Sequence, residues 1–296
     1  MTGRVKLEGD LTISRIAYGL GRPADVPSDG PDALRARIEA ALAEGITTID
    51  QPDQCGNHQS PTALGAVVRA APALRDKIEI VAKAGLIEAA GTPRRVCHYD
   101  LSPAHLTASV EASLRDLGTD RLDLLLLSRR DPLMRPADTG AALDRLVTEG
   151  KLRAVGVSNF RPFDTALLQS EMQTRLQVNQ IELSLAAMDA LENGDLAAIE
   201  QTRMIPMGWS PLAGGALLAG AEPDLLAAMR EMAGALGCEI SALAVAWLLA
   251  HPAGIVPVIG TTNVARIAEL ARAAQITLSR DQWFALYTAA RGRELE

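Results

Sequence analysis

Short apolar segments alternate with longer amphipathic segments along almost the whole chain, and this alternation constrains the fold more than any other feature. The apolar segments are continuous runs, which is typical of parallel strands that are buried on both faces. The runs lie at Arg15–Leu20, Thr47–Asp50, Ile78–Ala84, Leu122–Ser128, Arg153–Ser158, Leu176–Leu183, Ile205–Ser210 and Ile255–Gly260. Eight strand–helix units in 296 residues predict one closed (β/α)8 TIM barrel, and we expect residues 1–296 to form a single domain.

Residues that favour helix starts and stops divide the segments between the runs. Helices are predicted over Pro31–Glu44, Ser102–Leu117, Pro136–Thr148 and Pro223–Leu236. A β-hairpin over Val5–Ile13 is expected to close the bottom of the barrel, and Ser279–Arg291 predicts an extra C-terminal helix. An open doubly wound sheet is the alternative fold, but the GLGR segment at Gly19 does not continue as the GxGxxG fingerprint of dinucleotide-binding folds.

Charge and cysteine usage disfavour several classes of protein. A net charge of −7 disfavours a non-specific binder of nucleic acid or of anionic membranes, since both need clustered cations. The three cysteines, Cys55, Cys97 and Cys238, are widely spaced, so neither a metal site nor a disulfide framework is predicted. No signal peptide is visible, and no run approaches the ~18 apolar residues of a membrane span. We therefore expect a soluble cytoplasmic protein.

Polar residues at the ends of the predicted strands are the candidates for chemistry, because function in such a barrel lies at the C-terminal ends of its strands. Asp50 ends the second strand and Lys83 ends the third, so adjacent strands bring the two charges together. An ordinary structural ion pair at the barrel mouth would have the same spacing. The other candidates are Ser128, Ser158, Asn159, Asn179, Gln180, Trp209, Ser210 and the loop Gly260–Asn263.

Seven motifs in this order resemble those of the aldo-keto reductase superfamily, over nearly the whole chain. They are GITTIDQPDQCG, EIVAKAG, LGTDRLDLLLLSRRDPL, GKLRAVGVSNF, QVNQIELS, MGWSPLAGGALL and PVIGTTNVARIAEL. Within the superfamily the chain looks most similar to bacterial reductases of the general-oxidoreductase type. The resemblance implies a monomer that reduces carbonyl groups with NADPH, a reaction that moves a hydride to carbon and a proton to the developing alkoxide.

The same resemblance exposes a departure in the catalytic tetrad of Asp, Tyr, Lys and His. Asp50 and Lys83 match the family's Asp and Lys, but the tyrosine that acts as the acid falls on Cys55 and the histidine falls on Ser128. A thiol is a weak hydrogen-bond donor and a serine carries no charge. Because losing a general acid costs about 10²–10⁴ in rate, we expect an atypical mechanism or weak activity.

Several residues are candidates for the missing proton donor. Cys55 itself, Lys83, and His98 and Tyr99 in the loop after the third strand are all expected near the mouth, and His58 follows Cys55 closely. Each also has a plain structural interpretation, as a small filler, an exposed side chain or a residue that pins its loop.

The residues that the resemblance assigns to the cofactor are better preserved. Ser158, Asn159 and Gln180 match residues that hold the nicotinamide carboxamide, and Trp209 matches the aromatic on which the ring stacks. The remaining candidates are Gly19, Ser210, Leu212, Gly214, Gly260, Thr261, Thr262, Asn263, Arg266 and Glu269. The residues Gly260–Asn263 precede a helix start and suit phosphate, because a helix start offers free N–H groups. No lysine occurs in Gly260–Asn263, so a preference for NADPH over NADH rests on Arg266.

The sequence therefore predicts an NADP(H)-binding oxidoreductase with a degenerate tetrad, acting on a small carbonyl or conjugated compound. Reduction of a C=C or C=N bond would depend less on the lost tyrosine. One alternative is a redox-free lyase, dehydratase or isomerase that uses Asp50, Lys83 and Cys55. The other is a barrel that binds NADPH without turnover and reports it to a partner.

Overall fold

The computed structural model describes residues 3–20, 30–53, 60–87 and 96–294. The described strands are β1 Arg4–Lys6, β2 Thr12–Ser14, β3 Ala17–Gly19, β4 Thr48–Asp53, β5 Glu79–Ala84, β6 Leu86–Ile87, β7 His98–Tyr99, β8 Leu124–Leu127, β9 Val155–Ser158, β10 Leu176–Glu182, β11 Ile205–Trp209 and β12 Val256–Ile259. The described α-helices are α1 Pro31–Ala43, α2 Ser60–Ala70, α3 Pro103–Leu117, α4 Pro136–Thr148, α5 Pro162–Gln169, α6 Asp189–Glu192, α7 Asp195–Gln201, α8 Ala216–Ala219, α9 Pro223–Leu236, α10 Ile240–Leu249, α11 Val264–Ala271 and α12 Arg280–Arg291.

Eight parallel strands close into a barrel in the order β3, β4, β5, β8, β9, β10, β11 and β12. The last strand returns to the first, with Val258 paired to Ala17. Four-residue β8 and β9 are buried at every position, which explains why the strands appear in the sequence as continuous apolar runs. The predicted (β/α)8 barrel is confirmed, and the open doubly wound sheet is excluded.

The predicted helix boundaries hold because the capping residues act as expected. The Ser102 hydroxyl accepts a hydrogen bond from the His105 backbone N–H at 3.3 Å and begins α3. Gly118 ends the same helix at φ 65°, a left-handed conformation that suits glycine. Ser279 and Gln282 form a capping box at the start of α12, the extra C-terminal helix.

The barrel interior is a packed core whose lower end is closed by the N-terminal hairpin. β1 pairs with β2 in antiparallel register, as the sequence predicts. Leu7 and Leu11, from the turn of this hairpin, belong to the same buried cluster as strand residues such as Val178 and Met207. A second and larger cluster lies between the strands and the surrounding helices. The lower end of the barrel is therefore filled with apolar side chains. The polar residues that the sequence analysis named as candidates lie at the other end, where the strands finish.

Two tryptophans fix the C-terminal helix to the barrel wall. Trp283 of α12 stacks on Trp247 of α10, with ring centroids 4.7 Å apart and planes 11° from parallel. Each indole N–H donates to the other residue's backbone carbonyl, at 3.1 Å from Trp247 and 3.0 Å from Trp283. The third tryptophan, Trp209, lies instead at the end of β11.

Within the described residues, no single helix has the length and apolar character needed to cross a membrane. Helices α9 and α10 pass such a test only as a pair, and the two are bent by 90° relative to each other.

Candidate active site

One cavity of about 590 Å³ opens at the C-terminal ends of the strands. It contains most of the residues that the sequence singled out. Those that line it are Gly19, Asp50, Lys83, Tyr99, Ser128, Ser158, Asn159, Gln180, Trp209, Ser210, Leu212, Gly214, Gly260, Thr261, Thr262 and Arg266. The described residues include no group of three or more His, Cys, Asp or Glu side chains placed to hold a metal ion.

A buried ion pair occupies the floor of this cavity. The Lys83 ammonium donates to Asp50 Oδ1 at 2.5 Å and to the Gln51 carbonyl at 2.8 Å. The two side chains are only 12% and 7% exposed, so each charge depends on the other for compensation. The Gln180 amide also donates to Asp50 Oδ1, at 3.0 Å. The pairing follows from strand order, because Asp50 on β4 and Lys83 on β5 lie on neighbouring strands.

A line of hydrogen bonds connects the ends of β9, β10 and β11 along one side of the cavity. The Ser158 hydroxyl donates to the Gln180 carbonyl at 2.9 Å, and the Asn159 amide donates to the Ser158 hydroxyl at 2.9 Å. The Trp209 indole N–H donates to Asn159 Oδ1 at 3.0 Å, which fixes the plane of the indole ring. A flat aromatic face and several amide groups are therefore held in place together.

Two residues that follow barrel strands and line the cavity have unusual backbone conformations. Asn159 follows β9 with φ 56°, and Ser210 follows β11 with φ 54°. A positive φ is uncommon outside glycine, although asparagine tolerates it better than most residues. Such conformations concentrate at functional sites, where the surrounding structure maintains them. Here both occur where a strand end turns to line the cavity.

The far end of the cavity is formed by the loop before α11. Thr261, Thr262 and Arg266 line it, and the Arg266 side chain is exposed there. Asn263 does not line it, because its side chain caps α11 by accepting from the Ala265 N–H at 2.9 Å and the Arg266 N–H at 3.4 Å. The backbone N–H groups of Ala265 and Arg266, at the helix start that was predicted to bind phosphate, thus already have an acceptor within the chain.

Two other predicted residues lie away from the cavity. Glu269, one turn beyond Arg266, accepts a hydrogen bond from the Ser241 hydroxyl and so joins α11 to α10. His98 is exposed, and its Nδ1 lies 2.9 Å from the Val96 carbonyl. Their positions give no support to the roles predicted for them. Cys55 and His58 lie outside the described residues.

The segment that holds His98 and Tyr99 is a short hairpin rather than the predicted loop. Tyr99 of β7 pairs with Leu86 of β6, and His98 pairs with Ile87. Successive side chains of a strand point to opposite faces. Tyr99 therefore lines the cavity, whereas His98 points to solvent.

Sequence reasoning missed Asp53. The predicted strand ended at Asp50, whereas β4 continues to Asp53, which lines the cavity and is 6% exposed. Its Oδ2 accepts from the Ser128 hydroxyl at 2.5 Å and from the Leu86 N–H at 2.7 Å. The signal in the sequence was a second carboxylate three residues after Asp50, at the same strand end. Arg129 also lines the cavity and is exposed.

The protein is a (β/α)8 barrel with a buried ion pair and an aromatic side chain at the C-terminal ends of its strands, the end where enzymes of this fold have their active sites. A family model for the Aldo/keto reductase family matches residues 15–290, and the chain belongs to that family. It is therefore an oxidoreductase of the aldo-keto reductase type, as the motifs of the sequence suggested.

Named relatives resemble this chain along its whole length. It is 51% identical over 294 residues to the 6-dehydroglucose reductase of Agrobacterium fabrum, covering 99% of each chain. It is 37% identical to the uncharacterized oxidoreductase YcsN of Bacillus subtilis, again covering 99% of each. An aldo/keto reductase structure from Klebsiella pneumoniae, in complex with NADP and acetate, matches with a TM-score of 0.80 at 24% identity, over 97% of this chain and 94% of the other. At 24% identity, this structural match shows that the two chains share a fold and nothing more.

Proposed function

We propose that this protein is an NADP(H)-dependent reductase of a small carbonyl compound, with a non-standard proton donor. The observation that carries the proposal is the joint placement of Trp209, Asn159 and Gln180 beside the Asp50–Lys83 pair, in one cavity. This arrangement combines a surface for a planar ring with a cation at the place where negative charge develops during carbonyl reduction.

The cavity suits a dinucleotide with a 2′-phosphate. Its volume of about 590 Å³ lies within the ordinary range for a cofactor site. Trp209 offers its face to a nicotinamide ring, Thr261 and Thr262 offer polar contacts, and Arg266 offers a guanidinium group that pairs well with phosphate. A bound reduced nicotinamide would supply the hydride. A complex of a structurally similar family member with NADP agrees with this assignment.

The chain's own residues would then bind and polarise the substrate oxygen. An ammonium group has three N–H bonds, and Lys83 uses two of them on Asp50 and Gln51. Among the described residues, the third has no hydrogen-bond partner, and we assign it to the substrate oxygen. Asp50 keeps the ammonium in place, and its bond from Gln180 keeps the carboxylate oriented.

We propose an oxidised sugar as the substrate class. The 51% identical relative is named a 6-dehydroglucose reductase, which is a reductase of a sugar aldehyde. Polar groups that suit a polyhydroxylated molecule surround the mouth, namely the Asp53 carboxylate, the Tyr99 phenol and the exposed Arg129 guanidinium. The hydroxyl groups of a sugar can hydrogen-bond to these groups and an apolar aldehyde cannot, so we expect the sugar to bind more tightly.

The test begins with titration of the purified protein by NADPH and then by NADH, followed by quenching of tryptophan emission. Trp209 lines the cavity, whereas Trp247 and Trp283 form the stack on α10 and α12. Trp209→Phe should therefore remove most of the quenching and leave the emission of the stacked pair. NADPH oxidation is then measured with 6-dehydroglucose and with simple aldehydes. Absence of nucleotide binding would overturn the proposal.

A second candidate, an NADPH-binding protein without turnover, is favoured by one observation. The Ser128 hydroxyl, at the position of the family's histidine, is bonded to Asp53. If that hydroxyl stays on Asp53 in the complex, the substrate oxygen has no neutral donor at this position. Tight NADPH binding with no oxidation on any carbonyl would favour this candidate. Conversion of a sugar without nucleotide consumption would instead favour the redox-free enzyme.

A further inference from the structure

The cavity contains two arginine side chains, those of Arg129 and Arg266, that have no hydrogen-bond or ion-pair partner among the described residues. The other acidic and basic residues of the described lining are Asp50, Asp53 and Lys83. Lys83 and Asp50 pair with each other, and Asp53 accepts hydrogen bonds from the Ser128 hydroxyl and the Leu86 N–H. The two guanidinium groups are therefore the charged groups of the cavity that the described part of the chain leaves for ligands.

The two arginines lie on opposite sides of the barrel mouth. Arg129 follows β8, and Arg266 lies in the first turn of α11, after β12. In the closed order of strands, β9, β10 and β11 separate β8 from β12 on one side, and β3, β4 and β5 separate them on the other. Trp209 and Asn159, which are proposed to hold the nicotinamide, lie at the ends of β11 and β9. Since Arg266 is assigned to the 2′-phosphate, Arg129 is left on the opposite side of the nicotinamide for the substrate.

Arg129 differs from the charged residues that follow it along the chain. Arg130 Nε lies 2.8 Å from Asp164 Oδ1, and the two side chains form an ion pair outside the cavity lining. The Asp131 carboxylate accepts hydrogen bonds from two backbone N–H groups, at 3.2 and 2.8 Å. Both Arg130 and Asp131 thus connect segments of the protein. Arg129 makes no such connection among the described residues, so the fold alone does not account for its charge.

We infer that the substrate is a sugar aldehyde that carries an anionic group, a carboxylate or a phosphate, and that Arg129 binds this group. The inference rests on the proposed function, because it concerns the substrate of the same carbonyl reduction. A guanidinium group donates two parallel hydrogen bonds to a carboxylate or a phosphate, and these bonds are stronger than those between neutral groups. Arg129 is therefore a specificity-determining residue, which selects among carbonyl compounds by their charge.

The depths at which Lys83 and Arg129 lie agree with this assignment. Lys83 is on the cavity floor with 12% of its side chain exposed, whereas Arg129 is exposed at the rim. The two residues belong to neighbouring strand ends, since β5 pairs with β8. A substrate whose carbonyl oxygen binds Lys83 therefore extends toward the rim on the side of Arg129, where its charged end meets the guanidinium group.

The test measures kcat/KM at saturating NADPH for two matched pairs of compounds, with 6-dehydroglucose as the reference for the proposed function. D-glucuronate and D-glucose differ by a carboxylate, and glyceraldehyde 3-phosphate and glyceraldehyde differ by a phosphate. The wild-type protein should prefer the charged member of at least one pair by about tenfold, since Arg129 is exposed and a screened pair contributes less than a buried one. The pair that shows the preference identifies the anionic group.

Arg129→Gln should remove this preference. The variant should lower kcat/KM for the charged compound about tenfold more than for its neutral partner, mainly by raising KM. In the wild type, added salt should weaken the preference, because salt screens an exposed charge pair. The same addition of salt should leave the ratio of charged to neutral compound unchanged in Arg129→Gln, which a purely structural role of Arg129 would not produce.

Arg135→Gln is the matched control. Arg135 is also an exposed arginine whose side chain has no hydrogen bond or ion pair in the described part of the chain, but it lies outside the cavity lining at the start of α4. The variant removes the same charge from the molecule and should keep the wild-type ratio for both pairs of compounds. NADPH binding by fluorescence confirms that each variant is folded.

Three results would overturn the inference and leave the proposed function in place. One is a wild-type protein that reduces 6-dehydroglucose but prefers neither charged compound. Another is an Arg129→Gln variant that loses activity equally on charged and neutral compounds, and the third is an Arg135→Gln variant that loses the preference as well. A wild-type protein that binds NADPH but reduces no carbonyl overturns the proposed function itself, and the inference falls with it.

Discussion

At the scale of single residues, the sequence match predicts that the site keeps two residues of the family tetrad and replaces the other two. Asp50 and Lys83 keep the ion pair, while Ser128 stands where the resemblance places a histidine. The resemblance gave these positions from the sequence alone. It did not give the hydrogen bond from Ser128 to Asp53, because that contact joins residues 75 positions apart and depends on where β4 ends.

Restoring the tyrosine and the histidine of the family tetrad tests whether the rest of the site can still support carbonyl reduction. Cys55→Tyr combined with Ser128→His should raise carbonyl reduction by about 10²-fold or more, because a general acid returns beside Lys83. The measurement is kcat/KM on an aldehyde panel. The expectation for Cys55 rests on the sequence match, and an unchanged rate across the panel would contradict it.

Arg266 should select between the two nucleotides. It is an exposed guanidinium at the far end of the cavity, and a guanidinium pairs with a 2′-phosphate that NADH lacks. Arg266→Ala should weaken NADPH binding about tenfold or more and leave NADH binding nearly unchanged, as measured by fluorescence titration. Arg272→Ala, an exposed arginine outside the cavity lining, is the control. If the binding of NADPH and of NADH weakened equally, the assignment of Arg266 to the 2′-phosphate would be contradicted.

At the scale of elements, β4 shows why sequence reasoning placed a boundary wrongly. The residues after Asp50 include Pro52, which lacks the N–H of a regular ladder and is normally excluded from a central strand. The register between β4 and β5 shifts between Asp50 and Asp53, and Pro52 lies within that irregularity. The strand therefore continues past a residue that usually ends one, and it places Asp53 in the cavity.

The other barrel strands and the helices α1, α3, α4, α9 and α12 were predictable because each carries its own local signal. Continuous apolar runs marked the eight barrel strands, and proline or serine marked the helix starts. The β6–β7 hairpin carried no such signal. Its strands are two residues long, so they show no periodicity in the sequence.

A carboxylate on α4 should make stability depend on pH. Asp144 accepts hydrogen bonds from the backbone N–H groups of Gln173 at 2.8 Å and Thr174 at 2.7 Å. Burial acts to raise the pKa of Asp144, but these hydrogen bonds outweigh it and hold the pKa below the usual value. The carboxylate thus stabilises the fold above the unfolded pKa of about 4, and this contribution is lost as pH falls through the lower folded pKa.

Asp144→Asn should therefore lower the free energy of unfolding at pH 7 by about 1 kcal/mol, a value reduced by solvent screening. The difference from wild type should shrink at acid pH, where the wild-type carboxylate becomes protonated. Urea unfolding at pH 7 and at about pH 3 measures both values. Asp138→Asn, an exposed residue on the same helix, is the control. A difference that does not change with pH would contradict the assignment to charge.

At the scale of the whole molecule, we propose that residues 1–296 form one domain. The sheet is closed, since β12 pairs with β3. Residues 1–150 and 151–296 expressed separately would each hold four barrel strands with two unpaired edges, which promote aggregation. Neither half should unfold cooperatively alone, whereas the co-expressed halves should assemble. Circular dichroism during thermal unfolding measures this, and a half that is monomeric and cooperative would contradict the proposal.

The hairpin that fills the lower end of the barrel has a consequence for access to the site. Leu7 and Leu11 are buried in that end, and the cavity that Asp50 lines lies at the opposite end of the strands. Among the described residues, the barrel therefore offers no path through its axis. We expect a small molecule that reaches Asp50 to enter and leave at the same end of the barrel.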